Sequence, residues 1–169
     1  TYLSYQATRH MPAFDDGVGL ITSYYVYGTA GDFIVAPNMG FLDIRAYYES
    51  HFQYGTYDYE TWRDAILRGQ ATPTLYPMRA GADDEEEFLY VMPFCDFSSG
   101  NIIGRIVFRL SGDALADTFA GAFETGVRSV TVEGAQGVVL ASLGDGKQDA
   151  SSYVVSDAES SSHKLRFTL

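Results

Sequence analysis

Residues 88–94 read Phe-Leu-Tyr-Val-Met-Pro-Phe and residues 102–110 read Ile-Ile-Gly-Arg-Ile-Val-Phe-Arg-Leu, with Ser98-Ser99-Gly100-Asn101 between them. β-Branched and aromatic residues on either side of a Ser/Gly/Asn turn describe two long antiparallel strands. Alternation puts Phe88, Tyr90, Met92, Phe94 and Asp96 on one face and Leu89, Val91 and Cys95 on the other. A hairpin of this length sets the fold class, because the strands around it are joined by further hairpins rather than by crossovers.

Upstream, Ser23-Tyr24-Tyr25-Val26-Tyr27 and Phe33-Ile34-Val35-Ala36 flank the turn residues 28–32 and predict another hairpin over 24–36. Residues 1–22 read as a helix stub followed by a loop, broken by Met11-Pro12 and Asp15-Asp16-Gly17. After Pro37, Phe41, Ile44, Tyr48 and Phe52 fall at helical offsets and predict a helix over 41–52. Asp58 is a plausible N-cap for a second helix over 59–68. There Tyr59, Trp62 and Ile66 repeat at helical spacing, and Gly69 would supply a left-handed stop. Residues 74–78 suit an edge strand because Pro77 forbids a central ladder position, and the acidic run 83–87 reads as a solvated turn.

Downstream, Ser111 predicts a cap for a helix with Leu115, Phe119, Ala122 and Phe123 as its buried stripe. Residues 127–133 and 138–142 restart a strand-turn-strand pattern. The Ser/Asp/Gly-rich stretch 144–162 reads as a mobile loop, and 165–169 as a last strand. The expectation is an α+β fold: an antiparallel sheet flanked by helices over 1–112, then a connecting helix and a second, smaller unit over 113–169.

Composition narrows the function. Eleven Lys+Arg against 22 Asp+Glu give a net charge of −11 in 169 residues, leaving no basic surface for nucleic acid. One cysteine closes no internal disulfide, and three scattered histidines give no metal-ligand spacing. No run approaches a membrane span, and neither a signal peptide nor an initiator Met opens the chain, so it reads as a soluble piece of a longer protein. The acidic, lysine-poor, tyrosine-rich composition leans towards the cell exterior.

Eight of the 22 residues 41–62 are aromatic, more than twice the density of the whole chain at 15%. Phe41, Tyr48 and Phe52 share a face and read as packing, whereas Tyr57, Tyr59 and Trp62 at a loop-to-helix junction suit a pocket wall. Asp96 could sit on a pocket rim or start the turn through Ser98-Ser99-Gly100. Surface pairing with acids is the favoured fate of Arg79, Arg105 and Arg109. The sequence has no Gly-x-Ser-x-Gly elbow, phosphate loop or histidine beside a nucleophile, and Cys95 reads as a small buried hydrophobe. No enzymatic activity, cofactor or metal is expected.

Several stretches together resemble a family, the extracytoplasmic Cache-type sensor domains with PAS-like folds. They are Tyr24-Tyr25-Val26-Tyr27 with Phe33-Ile34-Val35, Tyr59-Glu60-Thr61-Trp62, Tyr90-Val91-Met92-Pro93-Phe94, Gly104-Arg105-Ile106-Val107-Phe108, and residues 132–140 as a second PAS-like opening. The pattern covers roughly residues 20–142. Trp62-Arg63-Asp64 departs from the Arg and Trp-Tyr arrangement of amino-acid-binding members.

The resemblance implies a ligand-sensing ectodomain of a bacterial membrane receptor, with an AraC-type regulator, histidine kinase, diguanylate cyclase or chemoreceptor as the output. Its implied partners are a small organic ligand and the membrane, reached through flanking helices, and a homodimer is an open option. In a PAS-like cleft the ligand is expected to contact Tyr57, Tyr59, Trp62, Tyr76, Met78, Tyr90, Met92 and Asp96. The alternative is a surface-exposed interaction module whose tyrosines form a protein interface.

Overall fold

The computed structural model describes residues 11, 19–52, 57–80, 85–120, 124, 129–133, 139–144, 154–159 and 164–168. Six strands form one antiparallel sheet: β1 (Ile21–Gly28), β2 (Phe33–Ala36), β3 (Met39–Phe41), β4 (Thr74–Ala80), β5 (Glu85–Cys95) and β6 (Ile102–Ser111), in the order β3-β2-β1-β6-β5-β4. Helix α1 (Ile44–His51) and the α2 turn (Tyr59–Thr61), which continues as a π-helix (Trp62–Leu67), pack on one face. The fold is α+β, a PAS-like antiparallel sheet flanked by helices. Helix α3 (Gly112–Thr118) follows β6. A four-stranded antiparallel sheet holds β7 (Ser129–Glu133), β8 (Val139–Gly144), β9 (Val154–Glu159) and β10 (Lys164–Thr168) in the order β8-β7-β10-β9. Val107 therefore belongs to the first sheet, and Val130 and Val132 to the second. No helix among the described residues is long and apolar enough to cross a membrane.

The long hairpin has the register that alternation requires, with Leu89 opposite Arg109 and Val91 opposite Val107. Pro77 lies on the edge strand β4, and Pro93 lies beyond the last β4 partner, Val91, so neither interrupts a two-sided ladder. Asp43 and Asp58 cap α1 and α2, accepting from Arg45 N at 2.9 Å and Thr61 N at 2.7 Å. Ser111 caps α3, accepting from Ala114 N at 3.2 Å.

The structure corrects several expectations. Phe41 belongs to β3, paired with Ile34, rather than to the helix; with Asp43 as its cap, α1 starts three residues later, at Ile44. β1 begins at Ile21, so residues 21 and 22 are strand, not loop; residues 1–10 and 12–18 lie outside the described residues. Glu85, Glu86 and Glu87 open β5 rather than forming a turn. Strand β9 falls inside the stretch read as a mobile loop, where Ser156, Asp157 and Glu159 hide its β character. Helix α3 ends at Thr118 with Phe119 as C-cap, while Ala122 and Phe123 lie outside the described residues. Gly69 does not take the left-handed conformation. It is required instead by close approach, since a Cβ there would collide with the Ala65 carbonyl.

The main core lies between the sheet and the helices. Tyr25, Tyr27, Ile34, Met78, Leu89, Val91 and Val107 meet Ile44, Tyr47, Phe52, Trp62, Ile66 and Leu67. In the π-helix, Arg68 N donates to Arg63 O five residues back, at 3.1 Å. The wider turn brings Trp62, Ile66 and Leu67, all fully buried, onto one packing face. The opposite sheet face carries a smaller cluster, in which Leu75 and Phe88 pack with Tyr90, Leu110 and Leu115 of α3.

Candidate functional site

Five of the eight residues expected to touch a ligand converge on the helix side of the sheet, and their packing explains them. Trp62 is 0% exposed, and its Nε1 donates to the Tyr25 hydroxyl at 3.2 Å. Its ring meets Tyr48 and Phe52 at centroid distances of 5.4 Å each. Tyr59 lies edge-on to Tyr48 at 5.5 Å, with the Arg45 guanidinium 4.7 Å from its ring centroid. The Tyr57 hydroxyl donates to Pro77 O at 2.8 Å, and the Tyr76 hydroxyl to Ala65 O at 3.0 Å. Met78 is buried in the same cluster. These side chains fasten the helices to the sheet.

The other three point elsewhere. Leu89 and Val91 enter the helix-side core, so alternation sends Phe88, Tyr90 and Met92 to the opposite face. The expectation that the Phe88 face looks into the helix cleft is therefore corrected: Tyr90 and Met92 do not join Trp62. Tyr90 stacks on Phe108 at 6.4 Å, and Phe108 on Tyr24 at 6.1 Å, a ladder across β5, β6 and β1. Asp96 starts the turn. It accepts from Ser98 N at 2.7 Å, Ser99 N at 3.0 Å and the Ser98 hydroxyl, and these bonds hold its carboxyl below the usual range. Cys95 is exposed rather than buried, at the end of β5 beside a register shift.

Arg105 corrects a second expectation, since it takes no surface acid. It is 3% exposed and donates from Nη1 to Leu67 O at 2.6 Å, and from Nη2 to Gly69 O at 2.6 Å and Gln70 O at 3.0 Å. A guanidinium fork thus receives the carbonyls that end the π-helix. Burial lowers its pKa. Beside it, Arg68 and the Tyr27 hydroxyl both donate to Asp32, at 3.0 Å and 2.5 Å. Burial pushes the Asp32 carboxyl up, but these donors outweigh it and leave the carboxyl below its ordinary value. Arg109 follows expectation, pairing with Glu87 through Nε at 2.7 Å; the Arg79 side chain lies outside the described residues.

A cavity of about 330 Å³ opens where β1, the β2–β3 turn and α1 meet. Residues 21–24, Ala36, Pro37, Met39, Tyr47 and His51 line it. Tyr47 is 5% exposed, and burial raises its hydroxyl pKa strongly, opposed in part by Arg109. The His51 ring stacks on Tyr47 at 4.5 Å with 16° between planes, and Phe41 meets both rings edge-on. None of the eight expected contacts lines this cavity. The available signal was the i, i+4 pair Tyr47 and His51, one stripe round the helix from Tyr48 and Phe52. Among the described residues, no three His, Cys, Asp or Glu side chains gather to hold a metal ion.

Comparison with models of known protein families and with curated proteins gives no match to this chain.

Proposed function

We propose that the chain is an extracytoplasmic small-molecule-sensing domain of a transmembrane signalling protein, of the Cache type its sequence resembles. The observation that carries this reading is the cavity at the junction of β1, the β2–β3 turn and α1. Its volume lies near the lower end of the range of about 300–1,000 Å³ typical of small-molecule sites. Its walls combine apolar bodies with few polar groups, and it opens beside a packed aromatic cluster that keeps its shape.

A ligand seated there touches α1 through Tyr47 and His51, and β1 through residues 21–24. Binding then favours the arrangement in which α1 is closed on the sheet. Leu20, next to this wall, accepts from Ser111 N at 2.9 Å, and Ser111 is the cap of α3. A shift at the start of β1 thus reaches the helix that follows the sheet, a two-state route out of the site.

A thermal-shift screen of small metabolites against the whole chain tests the site, because a ligand that binds only the native state raises the melting temperature. Met39→Trp, at a 43% exposed wall position, places bulk in the cavity mouth. A stabilising compound whose shift disappears in Met39→Trp supports the reading. No stabilising compound, or a shift kept in the variant, removes it. The receptor setting is tested separately by the flanking coding sequence, where apolar helices of about 20 residues are expected; flanks without any such helix contradict it.

A further inference from the structure

We infer that the cavity selects a small uncharged ring compound carrying an N–H or O–H donor, rather than a carboxylate or an amino acid. This inference rests on the cavity being the ligand site. Among the described residues, no Asp, Glu, Lys or Arg lines the cavity. Arg109 lies opposite Ser23 across the β1–β6 ladder and acts electrostatically on the Tyr47 hydroxyl. Its guanidinium is held by Glu87 through Nε at 2.7 Å and Nη2 at 2.5 Å. A carboxylate entering the cavity would lose hydration and find no positive charge among the described wall residues in exchange, inside a chain of net charge −11.

The ring preference follows from the wall. Tyr47 and His51 form a flat parallel pair, and Ala36, Pro37 and Met39 face it from the β2–β3 turn with no charge among them. A cavity of about 330 Å³ suits one or two fused rings. The donor requirement follows from His51. Its Nδ1 lies 3.2 Å from the Tyr47 carbonyl oxygen, and a carbonyl only accepts, so this hydrogen bond forms in the tautomer with the proton on Nδ1. That tautomer leaves Nε2 as the ring's acceptor, to which a ligand N–H or O–H donates.

Calorimetric titration of the whole chain at pH 8 with indole, 1-methylindole, benzoate and leucine tests this. Indole is expected to bind, 1-methylindole about tenfold more weakly because it lacks the donor, and benzoate and leucine not detectably. His51→Phe keeps a flat ring but removes the acceptor, so it is expected to weaken indole about tenfold and leave 1-methylindole unchanged. Met39→Trp should abolish both. Benzoate or leucine binding more tightly than indole, with loss in Met39→Trp, overturns the ligand class and leaves the cavity reading standing. Equal affinity of the two indoles, with no effect of His51→Phe, overturns the donor requirement. Indole binding untouched by Met39→Trp overturns the cavity reading itself. No binding by any of the four overturns the ligand class, while the wider screen decides the cavity.

Discussion

The two faces of the six-stranded sheet are both aromatic, yet they use their rings differently. On the helix side, Tyr25, Tyr27, Tyr47 and Trp62 are buried, and the Tyr25, Tyr27, Tyr48, Tyr57 and Tyr76 hydroxyls all take part in hydrogen bonds. Buried amphipathic rings fill space and also provide fixed polar attachment points between sheet and helix. On the other side, Tyr24, Phe108 and Tyr90 form a half-buried ladder, and Phe33 and Phe94 lie over Gly28 and Gly104, where a Cβ would collide with their rings. The first face holds two layers together; the second stiffens one layer. Residue type alone does not distinguish these uses; register does.

The largest contrast is expected from paired truncations. Trp62→Ala removes a fully buried ring and the hydrogen bond to Tyr25, and should destabilise by about 3–5 kcal/mol in urea unfolding. Tyr90→Ala, on the half-buried ladder, should cost about 1–2 kcal/mol by the same measurement. Equal losses would break the contrast between the faces.

Between these two extremes comes Arg105→Ala. It leaves the carbonyls of Leu67, Gly69 and Gln70 without their donor, and about 3 kcal/mol of destabilisation is expected. The loss should come with faster amide exchange in the π-helix than in α1. Uniform exchange across both helices would show that the guanidinium does not hold the helix end.

The smallest effect is expected at the Tyr27–Asp32–Arg68 contact, where Arg68 and Asp32 are each nearly half exposed. Asp32 also has φ 48°, a conformation asparagine tolerates well, so Asp32→Asn isolates the charge. Because the folded carboxyl pKa is depressed, its contribution is present above the unfolded value of about 3.9. It is lost as pH falls through the folded value. The wild type should exceed Asp32→Asn by about 1 kcal/mol or less at pH 7 after allowance for solvent screening, and the two should converge towards pH 2. A gap that widens on acidification would reverse the sign and refute the assignment.

Much of the fold was legible because strand and helix periods are local. The 88–110 hairpin, the edge placement of residues 74–78 and the caps at Asp58 and Ser111 each follow from a few neighbouring residues. The offset of Phe41 to Ile44 fits the helical period, while the competing signal, pairing with Ile34, lies in another strand. Arg105 looked like a surface residue because its partners are backbone carbonyls, and carbonyls leave no mark in a sequence. β9 was hidden by Ser and Asp at strand positions whose pairing with β10 supplies the stability.

The candidate site was least legible. Whether a strand face looks toward a helix or away from it is a tertiary choice between two equal alternations, and a one-residue change of phase moves Tyr90 and Met92 from the cleft to the far side. The cavity also draws on β1, the β2–β3 turn and α1, whose meeting depends on where Pro37 and Asp43 redirect the chain.

The most direct test of the account is a crystal structure of the chain soaked with the compound that stabilises it most. Ligand density is expected between Met39 and the Tyr47–His51 pair, in contact with residues 21–24 and with the Trp62 cluster unmoved. Density on the far face beside Tyr90 and Met92, or at the Asp96 turn, with the cavity beside Tyr47 filled only by solvent, would contradict it.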